Sequence, residues 1–255
     1  MPQLHAIEVC VENADGLIAA QKAGADRVEL CASLLEGGLT PSAGMVREAL
    51  RVAEVPFLVM VRPRGGDFLY SDVEFAAMVD DVKQFRQMGV FGVVAGCLTA
   101  DGTIDHARMR ELVEAARPMT VTCHRAFDMA RNHAEAIEAL VRAGVDRVLT
   151  SGRHETALEG LDVLAETVRA AAGRLTVMAC GGLNAENVAS VIGATGVSEV
   201  HFAALRDLPS AMRFRNPTVG MGGTALSREY TTTVTDENAV RAVIAAARRT
   251  GTEKV

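Results

Sequence analysis

Gly24-Ala25-Asp26-Arg27-Val28 returns almost letter for letter as Gly144-Val145-Asp146-Arg147-Val148, and more loosely as Gly89-Val90-Phe91-Gly92-Val93 and Gly196-Val197-Ser198-Glu199-Val200. The four copies share a glycine, three residues and a valine, at intervals of 65, 55 and 52 residues. Each follows a stretch of helical pattern and opens a short β-prone run. A glycine there suits the left-handed residue that ends a helix, and the valine begins a strand. Four other β runs lie between the copies: Ala6 to Val11, Pro56 to Val61, Met119 to Cys123 and Leu175 to Ala179. Interleaved, they give eight strands, each followed by an amphipathic segment such as Ala14–Ala23, Ser42–Ala53 or Glu74–Met88. Strict alternation of this kind predicts an α/β fold with a parallel sheet covered by helices. Eight near-equal units with internal repetition favour closure into a (β/α)8 TIM barrel over an open doubly wound sheet. No Pro/Ser-rich linker divides the chain, so residues 1–255 are expected to form a single domain.

Two connections are longer than a compact domain usually carries: Gly65 to Asp72, and 203–235 after the eighth strand. The second contains Arg213-Phe-Arg-Asn216, the glycine-rich Gly220-Met-Gly-Gly223 and Glu229-Tyr230. It is expected to be either a partly ordered surface excursion or a lid or subunit contact.

Bulk properties narrow the function. Hydrophobic residues make up 49% and charged residues 23% of the chain, which suits a sizeable core. A formal net charge of −6 argues against a general attraction to nucleic acid or acidic membranes. The opening Met1-Pro2-Gln3-Leu4-His5 has no basic segment leading into an apolar one, unlike a signal peptide. Charges or glycines interrupt every apolar run before it reaches transmembrane length. Five cysteines, an odd number without scaffold spacing, read as reduced thiols in a cytoplasmic protein.

In a barrel, ligand and catalytic groups gather at the C-terminal ends of the strands. Those positions hold Glu8-Val-Cys10, Glu29-Leu-Cys31, Arg62-Pro-Arg64-Gly-Gly-Asp67, Gly96-Cys97, Cys123-His124-Arg125-Ala-Phe-Asp128, Thr150-Ser151-Gly152, Cys180-Gly181-Gly182 and His201-Phe202. Side chains two apart on a strand share a face, so Glu8 with Cys10 and Glu29 with Cys31 form neighbouring pairs. Two thiolates there can converge on a soft ion such as Cu(I), although free cysteine is also a common small core residue. Buried Glu8 and Glu29 need partners. Arg62, Arg64 and Arg125 are expected either to pair with them in an internal ion network or to bind an anionic ligand. His124 is a candidate general acid or base, with Asp128 orienting it or binding polar ligand groups. The amides around Ser151-Gly152 and Gly181-Gly182 are candidates to hold a phosphate, or are plain turns. Cys123 is expected to point toward the helices if His124 points inward. The chain has no Gly-x-Ser-x-Gly, phosphate-binding loop, His-Glu-x-x-His or Cys-x-x-Cys motif, and no lysine at a strand end.

Together these segments resemble the CutC family, often called copper homeostasis proteins. The resemblance is carried by Glu8-Val-Cys-Val11, Gly24-Ala-Asp-Arg-Val-Glu-Leu-Cys31, Glu36-Gly-Gly-Leu-Thr-Pro-Ser42 and Val59-Met-Val-Arg-Pro-Arg-Gly-Gly-Asp-Phe-Leu-Tyr-Ser71. His124-Arg-Ala-Phe-Asp-Met129, Arg147-Val-Leu-Thr-Ser-Gly152 and Phe214-Arg-Asn216 extend it across nearly the whole chain. The resemblance implies a (β/α)8 barrel, a cytoplasmic location, a homo-oligomer with a dimer as the expected form, and a link to copper(I) with Cys10 and Cys31 as ligands. The chain departs from the family pattern at Cys123, where phenylalanine is expected, and at Cys180, where proline or glycine is. Two functions therefore stand side by side. One is copper binding at the mouth. The other is an enzyme acting on a small anionic or polyhydroxylated molecule held by Arg62, Arg64, Asp67, His124 and the Gly181-Gly182 turn, with Glu8, Glu29 and His124 moving protons.

Overall fold

In the computed structural model, which describes residues 4–221 and 228–249, strands and α-helices alternate through the barrel, with one short 3-10 helix (Leu34–Glu36) between the second strand and the second α-helix. The order is β1 (Ala6–Val11), α1 (Ala14–Ala23), β2 (Arg27–Leu30), α2 (Ala43–Val52), β3 (Phe57–Met60), α3 (Asp72–Met88), β4 (Gly92–Ala95) and α4 (His106–Ala116). It continues with β5 (Thr120–Cys123), α5 (His133–Ala143), β6 (Arg147–Thr150), α6 (Leu161–Ala171), β7 (Thr176–Ala179), α7 (Val188–Thr195) and β8 (Glu199–Phe202). An outlying pair, β9 (Leu205–Pro209) and β10 (Thr231–Thr235), precedes the final helix α8 (Glu237–Arg249). Strands β1 to β8 form a closed parallel barrel in chain order, β1 pairing with both β2 and β8.

The repeated phrase does three separate jobs. Its glycine ends α1, α3, α5 and α7 in the left-handed conformation, with φ of 97°, 81°, 81° and 75° at Gly24, Gly89, Gly144 and Gly196. In the two closest copies the aspartate caps the preceding strand. The Ile7 N–H donates to Asp26 Oδ2 at 2.9 Å, and the Val121 N–H donates to Asp146 Oδ2 at 2.7 Å. The fourth residue points into the barrel. There Arg27, Gly92, Arg147 and Glu199, all from even-numbered strands, form one tier of the interior, as alternate strands do in closed eight-stranded barrels.

Alternation and register stack three further tiers above it: Glu8, Leu58, Thr122 and Met178; then Glu29, Val94, Leu149 and His201; then Cys10, Met60, His124 and Cys180. The outward strand faces and the helices share a separate apolar core that includes Val9, Val28, Val59, Val93, Val121, Val148, Val177 and Val200. Cys97 and Cys123 belong to that outer core.

The connection after β8 has strands of its own, where the sequence reading gave it none. β9 and β10 pair antiparallel from Pro209↔Thr231 to Leu205↔Thr235. Thr231-Thr-Thr-Val-Thr235 is a β-branched run, the composition that suits a ladder. Beyond it Phe214 and Met212 stand exposed, while the Arg215 guanidinium lies over the Tyr230 ring. Gly222-Gly223 of the glycine-rich stretch lie outside the described residues.

Candidate functional site at the barrel mouth

The upper tiers open into a cavity of about 330 Å³. Cys10, Met60, His124 and Cys180 form its floor, with Glu29, Leu149 and His201 reaching it from below. Arg62, Phe68 and the Gly181-Gly182-Leu183 turn close its sides.

Cys10 and Cys31 meet at one edge. Their Sγ atoms are 3.5 Å apart, and Cys31 Sγ donates to Glu29 Oε2 at 3.5 Å. One ligand atom from each of Cys10, Glu29 and Cys31 lies within 4.8 Å of the others. Cys10 faces the cavity, whereas Cys31 is fully buried behind it. The hydrogen bond with Cys31 and burial push the Cys10 thiol well above its usual range. For Cys31 the bond from Cys10 favours the thiolate, yet burial and the Glu29 charge hold the thiol up at about 12. Both sulfurs therefore keep their protons until a cation displaces them.

Beneath the thiols, His201 bridges the two glutamates. Its Nδ1 is 2.8 Å from Glu8 and its Nε2 3.5 Å from Glu29. Burial disfavours the imidazolium, but Glu29 and Glu8 outweigh it and raise His201 well above its ordinary value. Glu8 also takes a short hydrogen bond from Arg27 Nε. Burial opposes its charge, but His201 and Arg27 bring the carboxyl down to about 2. Glu29, without an arginine, is raised by burial and by Glu8 against the pull of His201.

This pairing differs from the sequence expectation. Arg62, Arg64 and Arg125 do not reach Glu8 or Glu29. Arg27 instead pairs with Glu8, which it faces in the ladder, and with Glu199. Arg62 instead donates to the carbonyls of Glu36, Gly38 and Gly66. Arg64 pairs with Glu74 at 2.7 Å and with Asp67 at 3.2 Å, and both Arg64 and Asp67 lie away from the cavity.

Asp128 does not orient His124. The turns after β5 carry it toward the β6 end, where it accepts from the Thr150 hydroxyl, the Ser151 amide and hydroxyl, the Arg153 amide and Arg125 Nε. The Ser151 amide is thereby occupied. His124 is instead fixed by the Ala126 N–H, which donates to its Nδ1 at 3.1 Å, and by the Phe68 ring, whose centroid is 4.8 Å away. Burial, then the neighbouring Arg62 charge, lower His124 to about 3. Gly181 and Gly182 line the cavity in left-handed conformation.

Sequence reading missed Arg27, Glu199 and Met60, and placed His201 at a strand end without giving it a role. The signal was present: counting inward positions back from Cys31 gives Glu29 and Arg27, and counting back from His201 gives Glu199. Of the two departures from the family pattern, Cys123 packs under the helices and Cys180 lines the cavity.

The closed parallel barrel of eight strands, with thiols, a thioether, a carboxylate and two histidines lining the cavity at its C-terminal mouth, defines the class: a (β/α)8 barrel protein. The sequence profile of the CutC family matches residues 5–206. The protein belongs to the CutC family. It is 63% identical over 246 residues to a CutC family protein of Mesorhizobium japonicum, covering 96% of this chain and 95% of that one. It is 43% identical over 242 residues to the mouse copper homeostasis protein cutC homolog, covering 95% of this chain and 89% of the relative. Among solved structures, the CutC protein from Streptococcus agalactiae superposes with a TM-score of 0.73 at 33% identity, over 79% of this chain and 98% of that one. Phosphoribosylanthranilate isomerase from Pyrococcus furiosus, at TM-score 0.55 and 17% identity over 96% and 98% of the two chains, shares the fold alone.

Proposed function

We propose that this protein binds Cu(I) through Cys10 and Cys31, as cargo handled in copper homeostasis. The observation that carries the reading is the 3.5 Å approach of the two thiols beside the Glu29 carboxyl at the cavity edge. Thiolate sulfur suits a soft monovalent cation, and Met60 and Cys180 add two more sulfurs to the same floor. Binding replaces the thiol protons, so it releases acid and strengthens as pH rises. The mouse and human relatives that share about two-fifths of its residues carry the name copper homeostasis protein, which supports copper as the cargo here. Five buried free thiols suit a reducing cytoplasm. The exposed Phe214 and Met212 beyond β9 offer the contact for a dimer.

Competition of the reduced protein against a chromophoric Cu(I) chelator tests the reading. The expected result is stoichiometric binding with proton release. In Cys10→Ser/Cys31→Ser the affinity falls by more than the roughly 10–100-fold that loss of an outer-sphere partner costs. Unchanged affinity in the double variant removes the proposal.

A further inference from the structure

Arg62 is a buried cation without a carboxylate. It is 6% exposed, its Nη1 donates to the Glu36 and Gly38 carbonyls at 2.6 and 3.1 Å, and its Nη2 donates to Gly66 at 2.9 Å. Carbonyls satisfy hydrogen bonds but leave the charge uncompensated, and among the described residues no carboxylate pairs with it. A buried charge in that condition is costly. Its Nε–H, moreover, makes no hydrogen bond among the described residues, although the equally unpartnered Tyr70 hydroxyl lies near the guanidinium.

His124, on the same cavity wall, has a matching vacancy. The Ala126 N–H points at Nδ1, so Nδ1 carries a lone pair and the neutral ring bears its proton on Nε2. That Nε2–H is buried and makes no hydrogen bond among the described residues. Phe68 ties the two donors together: the Arg62 guanidinium carbon is 5.1 Å from its centroid and the His124 ring 4.8 Å. Leu149, Leu183 and Phe202 add apolar surface to the same cavity. Two N–H donors and one unbalanced positive charge call for an acceptor that is itself negative. The apolar surface calls for carbon.

We propose that the mouth of the barrel holds a second, metal-independent site for a small organic oxyanion, whose oxygens accept from Arg62 Nε–H and His124 Nε2–H. The negative charge compensates Arg62, and the carbon portion lies against Leu149, Leu183 and Phe202. This site lies beyond the copper reading and stands without it, because neither donor is a copper ligand.

The test uses metal-free protein with ¹⁵N-labelled histidine, titrated separately with acetate and with inorganic phosphate. The expected result is a His124 signal in the Nε2–H form that moves saturably with at least one anion. A response to acetate assigns the site to carboxylates, and a response to phosphate assigns it to phosphate esters. His124→Phe, read by calorimetry, weakens that binding at least 10-fold, and so does Arg62→Gln. Saturable binding in metal-free protein separates this site from the copper site. Arg62 also braces three loop carbonyls, so the His124→Phe variant, checked for native circular dichroism, is decisive. No saturable response to either anion, or wild-type affinity in His124→Phe, overturns the proposal.

Discussion

At His124 three neighbours act on one ring. Gly96 leaves it room, since a Cβ there would lie 2.7 Å from its Cε1 and Nδ1. The Ala126 amide fixes the tautomer, and burial with the Arg62 charge keeps the ring neutral down to about 3. The unfolded chain takes up this proton near the ordinary 6.5, and the folded protein refuses it. Between those values the unfolded state binds more protons, so the stability that His124 contributes is fully present above 6.5 and is lost as pH falls. The slope approaches ~1.4 kcal/mol per pH unit. His201 acts in the other direction, because its raised value makes its contribution complete below 6.5 and lost only at higher pH. Glu8, held at about 2, contributes above 4.5 and begins to fail only below it. Between pH 6.5 and 5 the raised Glu29 and His201 work in the opposite direction to His124, and comparison of the wild type with His124→Phe cancels them. The difference in urea midpoint, wild type minus variant, should fall with acidification. Parallel curves would show that the ring takes no part in the pH dependence.

At the scale of the element, the five-residue phrase beginning at Gly24 shows how much of this fold could be read in advance. Its glycine and valine marked helix ends and strand starts. With the four intervening β runs they produced the closed eight-stranded order, because both signals are local. The phrase's aspartate and its fourth residue were not legible in the same way, since their partners lie one strand away or across the barrel. Asp146 is the clearest case. It accepts from the Val121 amide and pairs with Arg117 at 2.8 Å, so it joins the start of β6 to β5. Asp146→Ala leaves the Val121 N–H without its acceptor and should cost about 1–3 kcal/mol in chemical denaturation. A midpoint equal to wild type would mean that the aspartate does not close the ladder. The β9/β10 pair was hidden for another reason: its strands are separated by 21 residues, so no short turn announces a hairpin.

Across the whole molecule, the same distinction separates what was visible at the site from what was not. Strand-end position alone brought Cys10, Glu29, Arg62, His124, Arg125, Gly181 and Gly182 to one mouth. It failed for Arg64, Asp67, Asp128 and Ser151, which lie beyond the strands in loops whose turns carry them away from the cavity. The ion pairs also escaped, because tier order in a closed barrel depends on register between neighbouring strands. Those pairs bear on closure itself. β1 and β8 are the seam, and Glu8 meets His201 across it while Arg27 reaches Glu199 at 2.5 Å. Arg147 reaches the same carboxylate from β6 at 3.1 Å. Removing one member of such a buried set leaves charge unbalanced, whereas replacing the set with apolar groups of similar volume often costs nothing. Glu199→Gln takes the carboxylate from Arg147 and leaves Arg27 only Glu8, so it should destabilise by about 3–5 kcal/mol and lower Tm by roughly 6–20 °C. Arg27→Met/Arg147→Met/Glu199→Leu removes both cations with the anion, and Glu8 keeps His201 as its partner. Calorimetry of the triple variant should recover most of the loss. If it melts as low as Glu199→Gln, the charges themselves, rather than their balance, hold the seam closed.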